Sequence, residues 1–332
     1  MNKIKELIEK ETVSGYEYRS AEYIKKMFEE SGAECYIDNI SNVVAVKNKN
    51  AGFKVLIDSH IDTIGLMVTE IKEGGFLKFV TVGGVDLRIL PSLSVTVHGK
   101  NDIKGVIGVK PPHLLKDGTD KAYKVDELFI DTGIEYDELV KIVEIGDIVT
   151  FDSKFTSLYK NRFSCAGLDD KLGVYAVSEI LKKVENNKVS LYAVGAVGEE
   201  TGLRGAKVLG NLDSFDLVIV IDVTHGTTPD CIKERAFDLG KGPVITLGPS
   251  LSKKYNDRLI KYAEEKNINL QIEVEAGNTG TNAWIYHSAG VSNPSVMVSI
   301  PLKYMHTSYE VADLRDVEDV IELLSGFIKE VI

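Results

Sequence analysis

The chain has 332 residues, 44% of them hydrophobic, 27% charged and 8% aromatic, which is the composition of a globular protein with enough length for a large domain plus a smaller one. Thirty-nine Lys and Arg stand against 50 Asp and Glu, so the formal charge is -11 and a nucleic-acid backbone or an anionic membrane surface is disfavoured as a partner. Cys35, Cys165 and Cys231 are odd in number and widely spaced, which argues against a disulfide framework or a cysteine-ligated zinc and suits a cytoplasmic protein.

In chain order, residues 3–31 carry an apolar stripe through Ile4, Leu7, Ile8, Ile24, Met27 and Phe28, and Gly32 supplies a stop, predicting one or two amphipathic helices with no apolar signal core. Residues 41–47 (SNVVAVK) and 53–58 (FKVLID) read as strands, the second apolar enough to lie inside a sheet. From about residue 67 to residue 162 the texture becomes short β-rich pieces punctuated by glycine (GGFLKFVTVGG, LSVTVHGK, IKGVIGVK, GDIVTF), predicting a separate barrel or small sandwich. Helix and buried strand then alternate: helix 170–184, strand 189–197, helix 203–209, strand 217–223, helix 251–265, strand 269–274, helix 282–288, strand 295–300 and helix 314–331. The expected fold is therefore α/β, an open and mostly parallel sheet sandwiched by helices, built from residues 1–66 and 163–332 and interrupted by a β-rich insert at 67–162.

Open α/β sheets bind ligands beyond the carboxyl ends of their strands. Strand 53–58 delivers His60 and Asp62, strand 189–197 delivers Glu199 and Glu200, strand 217–223 carries Asp222, and strand 295–300 leads through Pro301 to His306. Asp169 and Asp170 open the helix that follows the insert, so the chain returns there to the place it left at His60. Each piece alone has an ordinary explanation: a His-x-Asp is more often a packed histidine, an Asp-Asp before a helix is commonly an N-cap, and Glu199-Glu200 before Gly202 reads equally as a solvated turn. Their convergence is more specific. Two carboxylates after the apolar run YAVGAVG would repel unless a cation compensated them, and histidines with carboxylates suit zinc, cobalt or manganese. A site for two ions needs a bridging carboxylate, terminal ligands and a base that is not itself a ligand, all of which this set can supply.

These residues, with SHIDTIG at 59–65, VGGVDLRIL at 82–90, GVIGVKPPHLL at 105–115, GLDDKLG at 167–173, GEETGLRGA at 198–206, IDVTHGTTP at 221–229, GTNA at 280–283 and IPLKYMHTS at 300–308, resemble the tetrahedral (TET) aminopeptidases, metallopeptidase family forty-two, some members of which carry an endoglucanase label. The resemblance spans nearly the whole chain. It implies that His60, Asp169 and Asp222 hold one divalent metal ion and Asp169, Glu200 and His306 a second, with Asp169 bridging. It further implies that Glu199 is the general base, that Asp62 orients His60 through the second ring nitrogen, that the insert dimerises, and that dimers assemble into a hollow tetrahedral dodecamer admitting short peptides. The chain departs from the family pattern at Asn282, commonly Asp, at Asp230 after Pro229, and at Ser308-Tyr309, and none of these removes an implied ligand. Asn282 would serve as a helix N-cap as well as Asp does. His98, His113, His225 and His287 need no function on this reading, although His225, three residues past Asp222, could touch substrate.

Other readings use the same residues. A glycosidase with Glu199 as its acid leaves both histidines without a role. A metal-dependent deacylase or amidohydrolase would share the ions, and a non-catalytic oligomeric scaffold would keep only the assembly.

Overall fold

The computed structural model describes residues 1–111, 123–288 and 292–330; His113, the end of the 105–115 motif and Val331 lie outside them. An eight-stranded sheet runs in the order Glu34–Ile37, Val43–Lys47, Val189–Ala196, Phe53–His60, Leu217–His225, Ser295–Leu302, Val244–Leu247, Gln271–Val274. The four middle strands are mutually parallel, whereas Val43–Lys47 and Val244–Leu247 run antiparallel to the neighbours that join them to that core. Neither Glu34–Ile37 nor Val244–Leu247 is predicted from the sequence, because four residues are too few to show a strand period, although Gly242-Pro243 and Gly248-Pro249 bracket the second.

The long apolar runs of the middle strands exist because both faces of the sheet are covered. Along Leu217–His225, Leu217, Ile219 and Ile221 enter one core, while Val218 and Val220 enter the other. The first core packs against helices Asn2–Ile8, Tyr18–Glu29, Leu168–Lys183, Lys253–Lys266 and Leu314–Glu330; the second packs against Arg204–Leu212 and Asn282–Ser288. The region 3–31 thus forms two helices. Leu168–Lys183 lies almost wholly buried on the sheet, with Leu172, Val177, Ile180 and Leu181 in its core face. Truncating Leu172, Ile180 or Leu181 to alanine is expected to destabilise by about 2–5 kcal/mol, and the same packing fixes where the helix's first residues, including Asp169, must sit.

Between Gly65 and Phe151 the chain forms a closed six-stranded antiparallel barrel, ordered Gly65–Lys72, Phe76–Val82, Phe129–Asp131, Asp102–Gly108, Ser94–His98, Ile148–Phe151, around its own apolar core. Closure leaves no free sheet edge. The return path includes Arg162–Cys165, which pairs with Thr156–Ser157 and with Glu310–Asp313 in a small three-stranded sheet absent from the sequence reading. That pairing sets Glu310 opposite Cys165, just before the helix that begins at Leu168.

Candidate metal centre

Parallel register carries the strand ends to one level. Ala196 pairs with His60 and Val220 with Asp58, so His60, Asp222 and the Glu199-Glu200 turn emerge together. His60, Asp169 and Asp222 form one group whose potential ligand atoms lie within 4.8 Å of one another; Asp169, Glu200 and His306 form a second. The two share Asp169. Its Oδ1 lies 3.0 Å from His60 Nε2 and its Oδ2 3.3 Å from His306 Nε2, so one carboxylate faces both imidazoles. His60 Nε2 is also 3.8 Å from Asp222 Oδ1, and His306 Nε2 is 3.4 Å from Glu200 Oε1. Glu199 belongs to neither group.

The Asp169-Asp170 pair divides its duties. Both residues have non-helical backbone angles and the peptide between them is cis. Asp170 accepts the backbone N–H of Gly173 at 3.1 Å and the Ser59 hydroxyl, the work of an N-cap. Only glycine fits at 173, since a Cβ there would lie 2.3 Å from the Asp170 carboxylate. Asp169 is left to face the histidines.

Asp62 is fully buried, but its carboxylate is not the group that orients His60. The imidazole Nδ1 donates to the Asp62 carbonyl oxygen at 2.9 Å and is 3.6 Å from the carboxylate, too far for a hydrogen bond. The carboxylate instead accepts the backbone N–H groups of Glu199 at 2.9 Å and Glu200 at 3.1 Å. A two-residue motif cannot reveal this, because the acceptor is chosen by the turn arriving from another strand.

Three further groups escaped the sequence. The buried Glu310 carboxylate accepts N–H from Leu168 at 2.7 Å, Asp169 at 3.3 Å and His306 at 3.0 Å, tying two potential ligands to one anchor. His306 has a positive φ of 61°, a backbone state unusual for a residue with a side chain, and this bond helps hold it. Glu17 accepts the N–H of Gly198 at 2.9 Å, and Asn42 that of Val197 at 2.9 Å, fixing the approach to Glu199. Asn282 is not a cap: it is the first residue of its helix, buried, and its amide donates to Asp58 Oδ1 at 2.7 Å while Tyr286 donates to Asp58 Oδ2 at 2.6 Å. His225 ends its strand exposed, and His287 is exposed at a helix end.

Crowded acids in a dry site hold protons tightly. Burial, with Asp222 and Glu200 adding repulsion, pushes Glu199 up to about 9. Burial likewise pushes Asp222 up to about 7 and Glu310 to about 8, in both cases reinforced by Asp169. His306, bonded to Asp169 and Glu200, rises to about 11, and His60, although burial opposes its charge, is held well above the usual imidazole range by Asp169. Asp169, despite its burial, is drawn well below the usual carboxylate range by His306 and His60. The barrel contributes the near wall: a Cβ at Gly84 would lie 2.9 Å from His306 Nδ1, and one at Gly83 3.3 Å from a Glu200 oxygen.

A model of the M42 glutamyl aminopeptidases matches residues 41–323. The chain belongs to the M42 family. A lysyl aminopeptidase of Pyrococcus furiosus is 33% identical across 98% of this chain and 96% of its own. Among solved structures, an aminopeptidase from the archaeon Desulfurococcus kamchatkensis superposes with a TM-score of 0.93 at 33% identity, covering 99% of this chain and 94% of that one. The TET1 peptidase of Pyrococcus horikoshii, which can assemble into a tetrahedron or a large octahedral shell, gives 0.87 at 31% identity, with 99% of each chain covered. Membership makes the protein a hydrolase of peptides and implies divalent metal ions, for which these residue groups are the candidates. Among the described residues no helix is long and apolar enough to cross a membrane.

Proposed function

We propose that this M42 member removes N-terminal residues from short peptides with two divalent ions, His60, Asp169 and Asp222 holding one and Asp169, Glu200 and His306 the other. The reading rests on Asp169, whose two carboxylate oxygens each meet a different imidazole. The donors fit zinc or cobalt first and manganese next: imidazoles and carboxylates with no thiolate. Buried acids whose proton affinity is raised are also what a cation would discharge. Bound ions would supply Lewis acidity toward a water and the scissile carbonyl, and would offset about +4 of the formal -11.

Glu199 would accept the proton of the attacking water and return it to the leaving amine. Its backbone is held by Asp62 and it has no place in either ligand group, so its carboxylate is free for proton transfer. A positive charge nearby would lower its proton affinity toward a value suited to exchange at neutral pH. The surrounding acids favour the substrate's terminal ammonium. The barrel would serve as the dimerisation module, and the dimers would build a tetrahedral dodecamer; light scattering on the purified protein reads the mass.

The direct test combines metal analysis with Glu199→Gln assayed on a panel of aminoacyl-anilides. Loss of roughly 10²–10⁴-fold in kcat with unchanged metal content is expected for a lost general base. Turnover that persists in metal-free protein, or an unaffected Glu199→Gln enzyme, overturns the proposal.

A further inference from the structure

A third group of potential ligands lies away from the Asp169 centre. Glu11, His98 and Asp102 bring ligand atoms within 4.8 Å of one another. His98 and Asp102 are paired across the tight hairpin formed by Ser94–His98 and Asp102–Gly108, so their side chains share a face of the barrel. Glu11 comes from the segment between the first two helices. That segment is pinned on both sides: Lys171 donates to the Lys10 carbonyl at 2.7 Å and the Ser20 hydroxyl to the Glu11 carbonyl at 2.7 Å.

The imidazole is the deciding feature. His98 is only 4% exposed, and its Nδ1 lies 3.0 Å from Glu11 Oε1 and 3.0 Å from Asp102 Oδ1. One ring nitrogen facing two carboxylate oxygens is also the arrangement of His60 with Asp169 and Asp222 and of His306 with Asp169 and Glu200. The outer partners suit a ligand set as well. His98 Nε2 sits 2.8 Å from the Thr150 hydroxyl, which can accept its proton and leave the Nδ1 lone pair directed at the carboxylates. Arg19 donates to the other oxygen of Glu11 at 3.0 Å, fixing that carboxylate while leaving Oε1 available. Both this group and Asp169, Glu200 and His306 line one cleft of about 590 Å³ between the barrel and the helical layers.

We propose that Glu11, His98 and Asp102 form an auxiliary site for a borderline divalent cation such as zinc, clamping the barrel to the segment that enters the peptidase core. One nitrogen and two oxygens leave coordination positions for water, and the exposure of Asp102 makes the ion exchangeable.

The test is kept independent of the Asp169 centre by working in a full-length His60→Ala, His306→Ala background. Zinc per chain is measured after equilibrium dialysis, together with hydrogen exchange across residues 9–12 and 94–108. The expected result is about one site-bound zinc in that background, lost with His98→Ala, and slower exchange of both segments on adding zinc. Asp102→Asn, at an exposed position, should weaken binding at least tenfold. Zinc content that is the same with and without His98→Ala and Asp102→Asn overturns the proposal, as does an exchange pattern in these segments indifferent to zinc; either result would mean a histidine-carboxylate ion pair only.

Discussion

Replacing Asn282 by aspartate tests how this chain manages the charge beneath its candidate metal centre. Asp58 is completely buried on the central strand and is pushed up to about 6 by that burial, against the bonds from Tyr286 and Asn282. Asn282→Asp would put a second carboxylate about where the amide now donates at 2.7 Å. Two full charges ~3 Å apart at an effective dielectric constant of ~20 repel by about 5.5 kcal/mol. The pair escapes most of this by sharing a proton, as close carboxylates do, and taking up that proton at pH 7 against an unperturbed value of ~3.9 costs about 4 kcal/mol. At pH 5 the same uptake costs about 1.5 kcal/mol. The shared proton is bound more tightly in the folded state than in the unfolded one, so stability is retained below the unfolded value and lost as pH rises through the folded one. Thermal unfolding of wild type, Asn282→Asp and Asn282→Ala at pH 5, 7 and 9 reads this directly. At roughly 2 °C per kcal/mol, Asn282→Asp should unfold about 3 °C below wild type at pH 5 and about 8 °C below at pH 7. Asn282→Ala should show a gap that varies much less with pH. An Asn282→Asp deficit independent of pH, or larger in acid, would refute the reasoning.

Glu310→Gln should weaken divalent-metal binding by about 10–100-fold, because the amide offers one acceptor where the carboxylate serves three N–H groups; unchanged affinity by competition titration would count against its anchoring role. Gly84→Ala should push the His306 ring or the 82–86 segment aside and raise the metal concentration needed for half-maximal activity by about tenfold or more, a shift worth ~1.4 kcal/mol, whereas Gly52→Ala, where a Cβ meets nothing within 4 Å, should change nothing. In chelator-treated protein, Glu199, Asp222, Glu310, His60 and His306 all bind protons more tightly folded than unfolded, so stability should fall as pH rises from about 5 to 9; Asp169 acts oppositely but only below about pH 4. Metal-loaded protein should show a flatter profile, and parallel melting curves with and without chelator would contradict the charge balance drawn here.

How much of this was legible before folding depended on range. The apolar run 217–223 announced a strand covered on both faces, and the change of texture between residues 67 and 162 announced a separate β module, because burial periodicity is a local property of the chain. The candidate residues stood out by type at strand ends that face a common edge, or, for Asp169, at the start of a helix. Partnership was not readable. Only the tertiary structure decided that Asp62 holds the Glu199-Glu200 turn by its carboxylate and His60 by its carbonyl, that Glu310 ties Asp169 to His306, and that Asn282 answers Asp58 instead of capping a helix. Likewise His98, an unremarkable strand residue in the sequence, meets Glu11 from the segment between the first two helices. Partners distant in sequence, such as Asp62 with Glu199, Glu310 with Asp169 and Asn282 with Asp58, are set by sheet register and helix packing, and neither leaves a mark in the spacing of the residues they join.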